Sequence, residues 1–180
     1  MAIDKGVESA DSLSEVAKSH TFYESLSAAL DDKAAKIGDI VAANFFDDGV
    51  EITYAELSKA SKRLSSGLLR MGVRKGTHVA LMVPNSVEFL IAWFGIMRLG
   101  AVMVPVNDRY LSRELNYVLE DADVQFLIIH EDCHPSLLGI EELPALLADG
   151  AIVTVRGELR DNWVDFHDLL ENGNENFEPP

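Results

Sequence analysis

Two patterns of apolar residues alternate along the middle of this chain. Largely apolar runs, at 78–83 and 124–129, are typical of strands that are buried on both faces of a sheet, and His78 and Gln125 are their only polar residues. Before the first run, apolar residues such as Leu57, Leu64 and Leu68 recur on one side of a predicted amphipathic helix. Strands separated by helices indicate parallel βαβ units. We therefore predict an α/β fold with a largely parallel sheet and helices on both faces.

The individual elements follow from spacing and from the residues at their ends. A first helix is predicted around Phe22, Leu26 and Leu30, which recur at helical spacing. Thr53 and Glu56 form a Thr-x-x-Glu pattern, which predicts the start of a long helix that ends before a glycine. A hairpin is predicted from a strand at 40–46 and a second short strand that ends near residue 53. The other predictions are a helix cap at Asn85 and Glu88, helices at 112–121 and 166–170, a broken helix at 136–147 and a strand at 151–155.

The most apolar segment, residues 89–106, has two interpretations. Its 18 residues contain one charge, Arg98, and this length is enough for a membrane-spanning helix. However, a charge at the middle of such a helix costs about 2.5 to 3.5 kcal/mol, and Gly100 and Pro105 interrupt the helix. We therefore predict no transmembrane segment, but a buried helix that ends before Gly100 and a strand over 101–106 that is covered on both faces.

Composition divides the chain into three parts. Residues 1–20 are polar and aperiodic, which predicts a loose N-terminal extension. Residues 21–171 contain the predicted helices and strands and are expected to form one α/β unit. The end of the chain, residues 172–180, is rich in Asn, Glu and Pro and is typical of a linker.

The charge of the chain limits its partners. A formal net charge of −15 at pH 7 disfavours binding to nucleic acid or to an anionic membrane, because both require a basic surface. The basic residues concentrate between positions 59 and 113, where nine of them stand against two acidic residues. This region is a candidate surface for a phosphate-bearing ligand, although a solvated helix face is the simpler explanation of Lys59, Lys62 and Arg63.

Few residues are candidates for direct chemistry. Cys133 is the single cysteine, and residues 1–20 lack a secretory signal, so we expect a reducing, cytoplasmic setting without disulfides. Residues 130–134 contain His, Glu, Asp and Cys, but no second cluster completes a metal site and no base is evident that would activate Cys133. We predict no metal site and no catalytic residue. The glycines form neither a dinucleotide fingerprint nor a P-loop.

Four segments in order resemble the adenylate-forming superfamily, which includes acyl-CoA synthetases, firefly luciferase and peptide-synthetase adenylation domains. They are ITYAEL (52–57), LLRMGVRKGTHVALMVPNSVEF (68–89), FGIMRLGAVMVPVN (94–107) and ELNYVLEDADVQFLI (114–128). The turn with Asn107 and Arg109 is similar to the Asn-x-Arg pattern of acyl-CoA synthetases. The resemblance implies a ligase that uses ATP and Mg²⁺ to activate a carboxylic acid and then transfers the acyl group to CoA.

The resemblance also implies one site residue and a limit on activity. Arg109 is predicted to contact the phosphates of CoA, and bracing of the next helix against the sheet is an equally good explanation. Residues 21–171 would then be a partial N-terminal subdomain of an AMP-binding ligase. The family's Ser/Thr/Gly-rich loop ending in Pro-Lys-Gly is absent from the sequence, so we expect a fragment that is inactive alone and that self-associates through an unfinished sheet.

Two alternatives stay open at this point. One is an adenylation enzyme that loads a carrier protein instead of CoA. The other, from a different functional class, is a natural non-catalytic module that binds a partner or an acyl ligand.

Overall fold

A computed structural model describes residues 23–147, 151–160 and 162–178 of the chain. The described residues form a small hairpin and a larger sheet with helices between its strands. The elements are α1 (Leu26–Ile37), β1 (Val41–Phe45), β2 (Val50–Thr53), α2 (Tyr54–Met71), β3 (His78–Met82), α3 (Val87–Arg98), β4 (Val102–Pro105), α4 (Ser112–Asp121), β5 (Phe126–His130), a 3₁₀ turn (Glu131–Cys133), α5 (His134–Leu138), β6 (Ile152–Val155), β7 (Trp163–Asp165) and α6 (Phe166–Glu171).

Local sequence signals explain where the longest helix begins and ends. The Thr53 hydroxyl accepts a hydrogen bond from the N–H of Glu56, and the Glu56 carboxylate accepts one from the N–H of Thr53, which is the predicted capping box. At the other end, Gly72 has a φ of 110°, which a glycine adopts without a clash at Cβ. The predicted limits of α2 are confirmed.

Five parallel strands form the central sheet in the order β4-β3-β5-β6-β7. The central β3 pairs with β4 on one side and with β5 on the other, and the chain then continues outwards through β6 and β7. β1 and β2 form a separate antiparallel hairpin, as predicted. The parallel α/β architecture is therefore confirmed.

Alternate residues of the strands contribute to cores on opposite faces of the sheet. Val79 and Leu81 of β3 belong to the first core, which includes residues of α1, α2, α3 and α6. Ala80 and Met82 belong to the second core, with residues of α4 and α5. All four strand residues have no exposed surface. Because β3 is covered from both sides, its continuous apolar run has a direct structural explanation.

The strand predicted at 101–106 is present as β4, but the prediction that both of its faces are covered is wrong. β4 is an edge strand, and its first residue, Val102, is 43% exposed. The backbone N–H groups of Val102 and Val106 donate to the carbonyls of Thr77 and Leu81 beside the inner edge of β4. A run of valines is equally favourable at an edge and at the centre of a sheet, so its composition did not distinguish the two positions.

The last third of the chain differs most from the sequence prediction. The broken helix predicted at 136–147 is wrong for most of its length: only residues 136–138 are helical, as the end of the short α5, which has a proline in its first turn and is capped by Gly139. β7 was not predicted, because three residues carry too little periodicity to be recognised. The cap of α3 is Ser86 rather than Asn85, since the Ser86 hydroxyl accepts the hydrogen bond from the N–H of Phe89.

Arg98, the charge in the most apolar segment, is buried between three helices. Its side chain is 2% exposed, and it donates two hydrogen bonds of 2.7 and 2.6 Å to the carboxylate of Asp31 and one of 2.9 Å to Ser61. Burial disfavours the ionised Asp31, but hydrogen bonds from Arg98 and Ser58 outweigh it and lower the pKa of Asp31. These bonds join α1, α2 and α3. No helix in the described part of the chain is long and apolar enough to cross a membrane.

The described residues at the end of the chain lie along α2. Glu175 forms an ion pair of 2.7 Å with Arg63, and the N–H of Asn174 donates to the Ser66 hydroxyl at 2.8 Å. Contacts with α2 thus occur within the segment predicted as a linker. The predicted loose extension, residues 1–20, lies outside the described residues, and the domain limits stay predictions.

Candidate functional site

The carboxyl ends of the parallel strands form the candidate site. From β3 the chain continues to β4 on one side, and from β4 it crosses to β5 on the other, so the strand order reverses between β3 and β5. In open parallel sheets, ligands bind outside the carboxyl ends of the strands near such a reversal. The loops at this edge are 83–86, 106–111, 131–133 and 156–157.

The loop after β4 holds the predicted site residue, Arg109, in a defined turn. The side-chain oxygen of Asn107 accepts a hydrogen bond of 2.9 Å from the N–H of Arg109, and the Asn107 carbonyl accepts one of 3.1 Å from the N–H of Tyr110. An asparagine that binds the backbone two residues ahead fixes the direction of the chain. Asn107 therefore orients the backbone from which Arg109 projects.

Arg109 and Arg113 differ from the other arginines. Both are exposed, and within the described residues the side chain of neither has a hydrogen-bond, ion-pair or ring partner. The other arginines have such partners: Arg63 with Glu175, Arg70 with Asn172, Arg74 with Leu69, Arg98 with Asp31, Arg156 with Glu88 and Arg160 with Trp163. A guanidinium is permanently charged and can donate to two oxygens at once. Two arginines at this edge are therefore available to an anionic ligand.

A second charged group at the carboxyl edge is already neutralised. Arg156 follows β6 and donates a 3.0 Å hydrogen bond to Glu88, the side chain of which is 8% exposed at the start of α3. Burial disfavours the ionised Glu88, but its own backbone N–H and Arg156 outweigh the burial and lower its pKa. Arg156 has a φ of 64°, and its carbonyl accepts a 2.7 Å hydrogen bond from buried Thr154. The Glu88–Arg156 ion pair therefore holds the loop after β6 against the start of α3.

The residues between β5 and α5 do not form a nucleophile or metal site. Burial, with the nearby carboxylates of Asp108 and Asp132, raises the pKa of the Cys133 thiol to about 11. The thiol is therefore protonated at neutral pH and is a poor nucleophile. In residues 23–147, 151–160 and 162–178, no group of three or more His, Cys, Asp or Glu side chains is arranged to hold a metal ion.

Comparison with known proteins assigns the fold and its carboxyl-edge loops to a family. The sequence profile of a family described as AMP-binding enzyme matches residues 30–179, which include the five strands of the central sheet. The chain belongs to the AMP-binding enzyme family.

Several members of the AMP-binding enzyme family resemble this chain. A crotonobetaine/carnitine–CoA ligase of Salmonella paratyphi C (strain RKS4594) is 35% identical over an alignment of 134 positions, and the match covers 64% of this chain and 26% of that ligase. The structure of the anthranilate CoA ligase AuaEII in complex with anthranoyl-AMP superposes with a TM-score of 0.80 and 25% identity, over 91% of this chain and 31% of that one. For the long-chain-fatty-acid-CoA ligase FadD1 from Archaeoglobus fulgidus, the TM-score is 0.68 and the identity 28%, over 89% and 32% of the two chains.

The chain thus spans about a quarter to a third of the length of these AMP-binding enzymes. Sequence analysis singled out Arg109 within the part it spans, and the structure places this residue at the carboxyl edge of the sheet. Arg113 was not singled out from the sequence, although its position four residues after Arg109, in the first turn of the helix predicted at 112–121, was a usable signal. The Glu88–Arg156 pair had no such signal, because its two residues are 68 positions apart.

Proposed function

We propose that the protein is a carboxylate–CoA ligase that acts in the cytoplasm. The observation that carries the proposal is the free Arg109 guanidinium, oriented by Asn107 at the carboxyl edge of an AMP-binding enzyme sheet. The printed names of its relatives, which are CoA ligases, support CoA rather than a carrier protein as the acyl acceptor. The proposed substrates are a carboxylic acid, ATP and CoA.

The proposed reaction has two steps. A carboxylate oxygen attacks the α-phosphorus of ATP and pyrophosphate leaves, and the sulfur of CoA then attacks the acyl carbon and AMP leaves. In this scheme Arg109 binds a phosphate of CoA, because its fork of N–H donors matches two phosphate oxygens. The contribution of this residue is binding and orientation of CoA, which raises the effective concentration of the thiol near the adenylate.

The residues of this chain do not fit the triphosphate of ATP or Mg²⁺. The sequence contains no Ser/Thr/Gly-rich loop that ends in Pro-Lys-Gly. No group of acidic side chains among the described residues is arranged for a metal ion. We therefore derive no adenylation step from these residues, and we propose that the 180 residues are the N-terminal part of a longer ligase.

The first experiment is to extend the coding sequence past codon 180 and to assay its product. We expect the reading frame to continue into the missing phosphate loop, and the longer protein to form acyl-adenylate and then CoA thioester from a panel of carboxylic acids. Adenylate formation with transfer only to a carrier protein would favour the carrier-loading alternative. A stop codon after Pro180 in the natural gene, or a complete protein that forms no acyl-adenylate, would refute the ligase proposal.

The isolated 180 residues are expected to be inactive. Adenylation depends on positioning ATP and on stabilising charge at the α-phosphate, and the groups for both are missing from the sequence. Pyrophosphate exchange into ATP should therefore stay at the background of a sample without protein. Exchange above background would contradict the expected inactivity.

We also propose that this chain self-associates through open sheet edges, which size-exclusion chromatography at two concentrations measures.

Arg109→Ala in the active ligase is expected to raise the KM for CoA by about tenfold, because one charge-assisted phosphate contact is lost. The rate of adenylate formation should not change, since that step precedes CoA binding. Steady-state kinetics with varied CoA measures the first effect, and pyrophosphate exchange measures the second. Lys59→Ala is the matched control, because it removes one exposed positive charge from α2 on the opposite face of the sheet. An unchanged KM for CoA would leave Arg109 without the proposed role.

A further inference from the structure

A relay of hydrogen bonds connects the start of α5 to residues 156–160, the β6 loop. The hydroxyl of Thr154, which has no exposed surface, donates a 2.7 Å hydrogen bond to the carbonyl of Arg156. A hydroxyl carries one proton, so the same oxygen accepts the 2.8 Å hydrogen bond that joins it to Nε2 of His134. The neutral His134 ring therefore carries its proton on Nε2. Nδ1 has no hydrogen-bond partner within the described residues and is the site for a second proton.

The backbone of the β6 loop needs support from its neighbours. Arg156 has a φ of 64° and Gly157 has a φ of 81°. The first value is disfavoured for a residue with a side chain, and it persists where surrounding contacts hold it. The loop also lies directly against α5 and the turn before it, because a Cβ added to Gly157 would be 2.7 Å from Cβ of Glu131 and 3.4 Å from Cε1 of His134. His134 thus supports the loop by packing and, through Thr154, by hydrogen bonding.

The surroundings of the His134 ring disfavour a second proton. The ring is partly buried and stands nearly perpendicular to Trp163, with 4.8 Å between the ring centroids. The guanidinium of Arg160 lies over the same tryptophan, 5.7 Å from its centroid. Burial and, after it, the charge of Arg160 lower the pKa of His134 below its ordinary value of 6.5. The other charged groups that act on the pKa of this ring are His130, in the same direction, and Glu131 and Asp132, in the opposite direction.

We propose that protonation of His134 releases the β6 loop from α5. A proton on Nδ1 places a positive charge beside the guanidinium of Arg160, and the charged ring turns towards water. Thr154 then loses its hydrogen-bond donor, and the loop loses the packing of the ring. The Glu88–Arg156 ion pair is left to hold the loop. Because the loop lies at the carboxyl edge of the sheet, acidification loosens one border of the candidate site. This effect does not depend on the proposed ligase reaction.

Linkage between proton binding and loop opening fixes the direction of the pH effect. When the loop is open, the ring is in water and its pKa is close to 6.5, whereas the pKa of the packed ring is lower. The open form therefore binds the proton more tightly than the closed form. Opening is independent of pH well above 6.5, and it increases as the pH falls through that value towards the pKa of the packed ring.

The test is the mobility of the β6 loop in the ¹⁵N-labelled 180-residue chain. Backbone order parameters of residues 156–160 are measured by NMR relaxation at about pH 7.5 and at about pH 5.5. We expect values of about 0.85 at the higher pH and a fall to about 0.6 or below at the lower pH, with no change in β3. The imidazole nitrogen shifts should show the Nε2–H form at the higher pH and should titrate together with the amide shifts of the loop. Constant order in the loop, or a neutral ring protonated on Nδ1, would overturn the proposal.

Substitutions along the relay identify the titrating group. His134→Gln keeps an N–H donor for Thr154 but does not titrate, so the order parameters of the loop should stay high at both pH values. Thr154→Val removes the hydroxyl, so they should already be low at the higher pH, whereas Thr154→Ser should keep them high there. His167→Gln is the matched control, because His167 is exposed on α6, and its loop should loosen with pH as in the parent. A loop that still loosens at the lower pH in His134→Gln would assign the effect to another group and overturn the proposal.

Discussion

Replacement of Asp31 by alanine is expected to lower the free energy of unfolding by about 3 kcal/mol. The change removes the partner of Arg98, the side chain of which stays 2% exposed between α1, α2 and α3. A buried guanidinium without a counter-charge is strongly destabilising, with typical costs of roughly 3 to 5 kcal/mol, and we take the lower end because Asp31 is 34% exposed. Urea unfolding followed by circular dichroism measures the loss.

Two further variants test whether the pair explains the effect. Asp39→Ala removes the same charge from an exposed position with no partner in the described residues and should change the unfolding free energy by less than about 0.5 kcal/mol. In the double variant Asp31→Ala/Arg98→Met, the uncompensated charge is gone, so the loss should be clearly smaller than the sum of the two single losses. Additive losses would show that Asp31 and Arg98 stabilise the fold independently.

The ion pair also predicts a pH dependence. The pKa of Asp31 is lower in the folded chain than its usual value of 3.8, so its contribution to stability is complete above that value and is lost as the pH falls through the folded pKa. Below pH 4, the parent should therefore lose stability more steeply than Asp31→Ala. If the unfolding free energies of the two proteins fall in parallel in that range, the pKa of Asp31 is not lowered in the folded chain.

Replacement of Phe166 by alanine is expected to lower the free energy of unfolding by about 3 to 5 kcal/mol. Phe166 is the first residue of α6, has no exposed surface and belongs to the first core. Truncation removes a buried ring and leaves a cavity that the helices around it fill only in part. In a chain of this size, such a loss lowers the unfolding temperature by roughly 10 °C or more, which differential scanning calorimetry measures.

Phe46 provides the matched control for Phe166. It lies between β1 and β2 and is 86% exposed, so Phe46→Ala changes the same side chain without opening a cavity. The unfolding temperature of this variant should stay within about 2 °C of the parent. A small effect at Phe166 as well would indicate that α6 folds independently of the rest of the first core, and that residues 166–171 are not part of one cooperative unit.

The fold was predictable where local signals agree with tertiary packing. The limits of α2 are fixed by Thr53, Glu56 and Gly72, which act within one turn of the helix ends. The strands β3 and β5 were recognisable because both of their faces are buried. The position of β4 was not, since edge or centre depends on strand order, which no local run encodes. The partner of Arg98 was equally hidden, because Asp31 lies 67 residues earlier in the chain.

The candidate site was only partly predictable from the sequence. The Asn-x-Arg pattern led to Arg109, and the structure shows why the asparagine matters, because Asn107 binds the backbone of the residue two positions ahead. Family resemblance supplied the expected ligand, but it did not indicate which other arginines are free. That information requires the partners of each arginine, and those partners lie up to 112 residues away, as for Arg63 and Glu175.

Pro105 affects how readily a strand from another molecule can pair with the open edge of β4. The N–H groups of Val102 and Val106 point inwards to the neighbouring strand segment, so the intervening odd-numbered positions face outwards. Pro105 occupies one of these outward positions and has no N–H to donate. A strand from another molecule that pairs with this edge would lack one backbone hydrogen bond, because Pro105 cannot donate it. Pro105 thus disfavours addition of a strand from another molecule on this side, and we expect such addition to occur at the β7 edge instead.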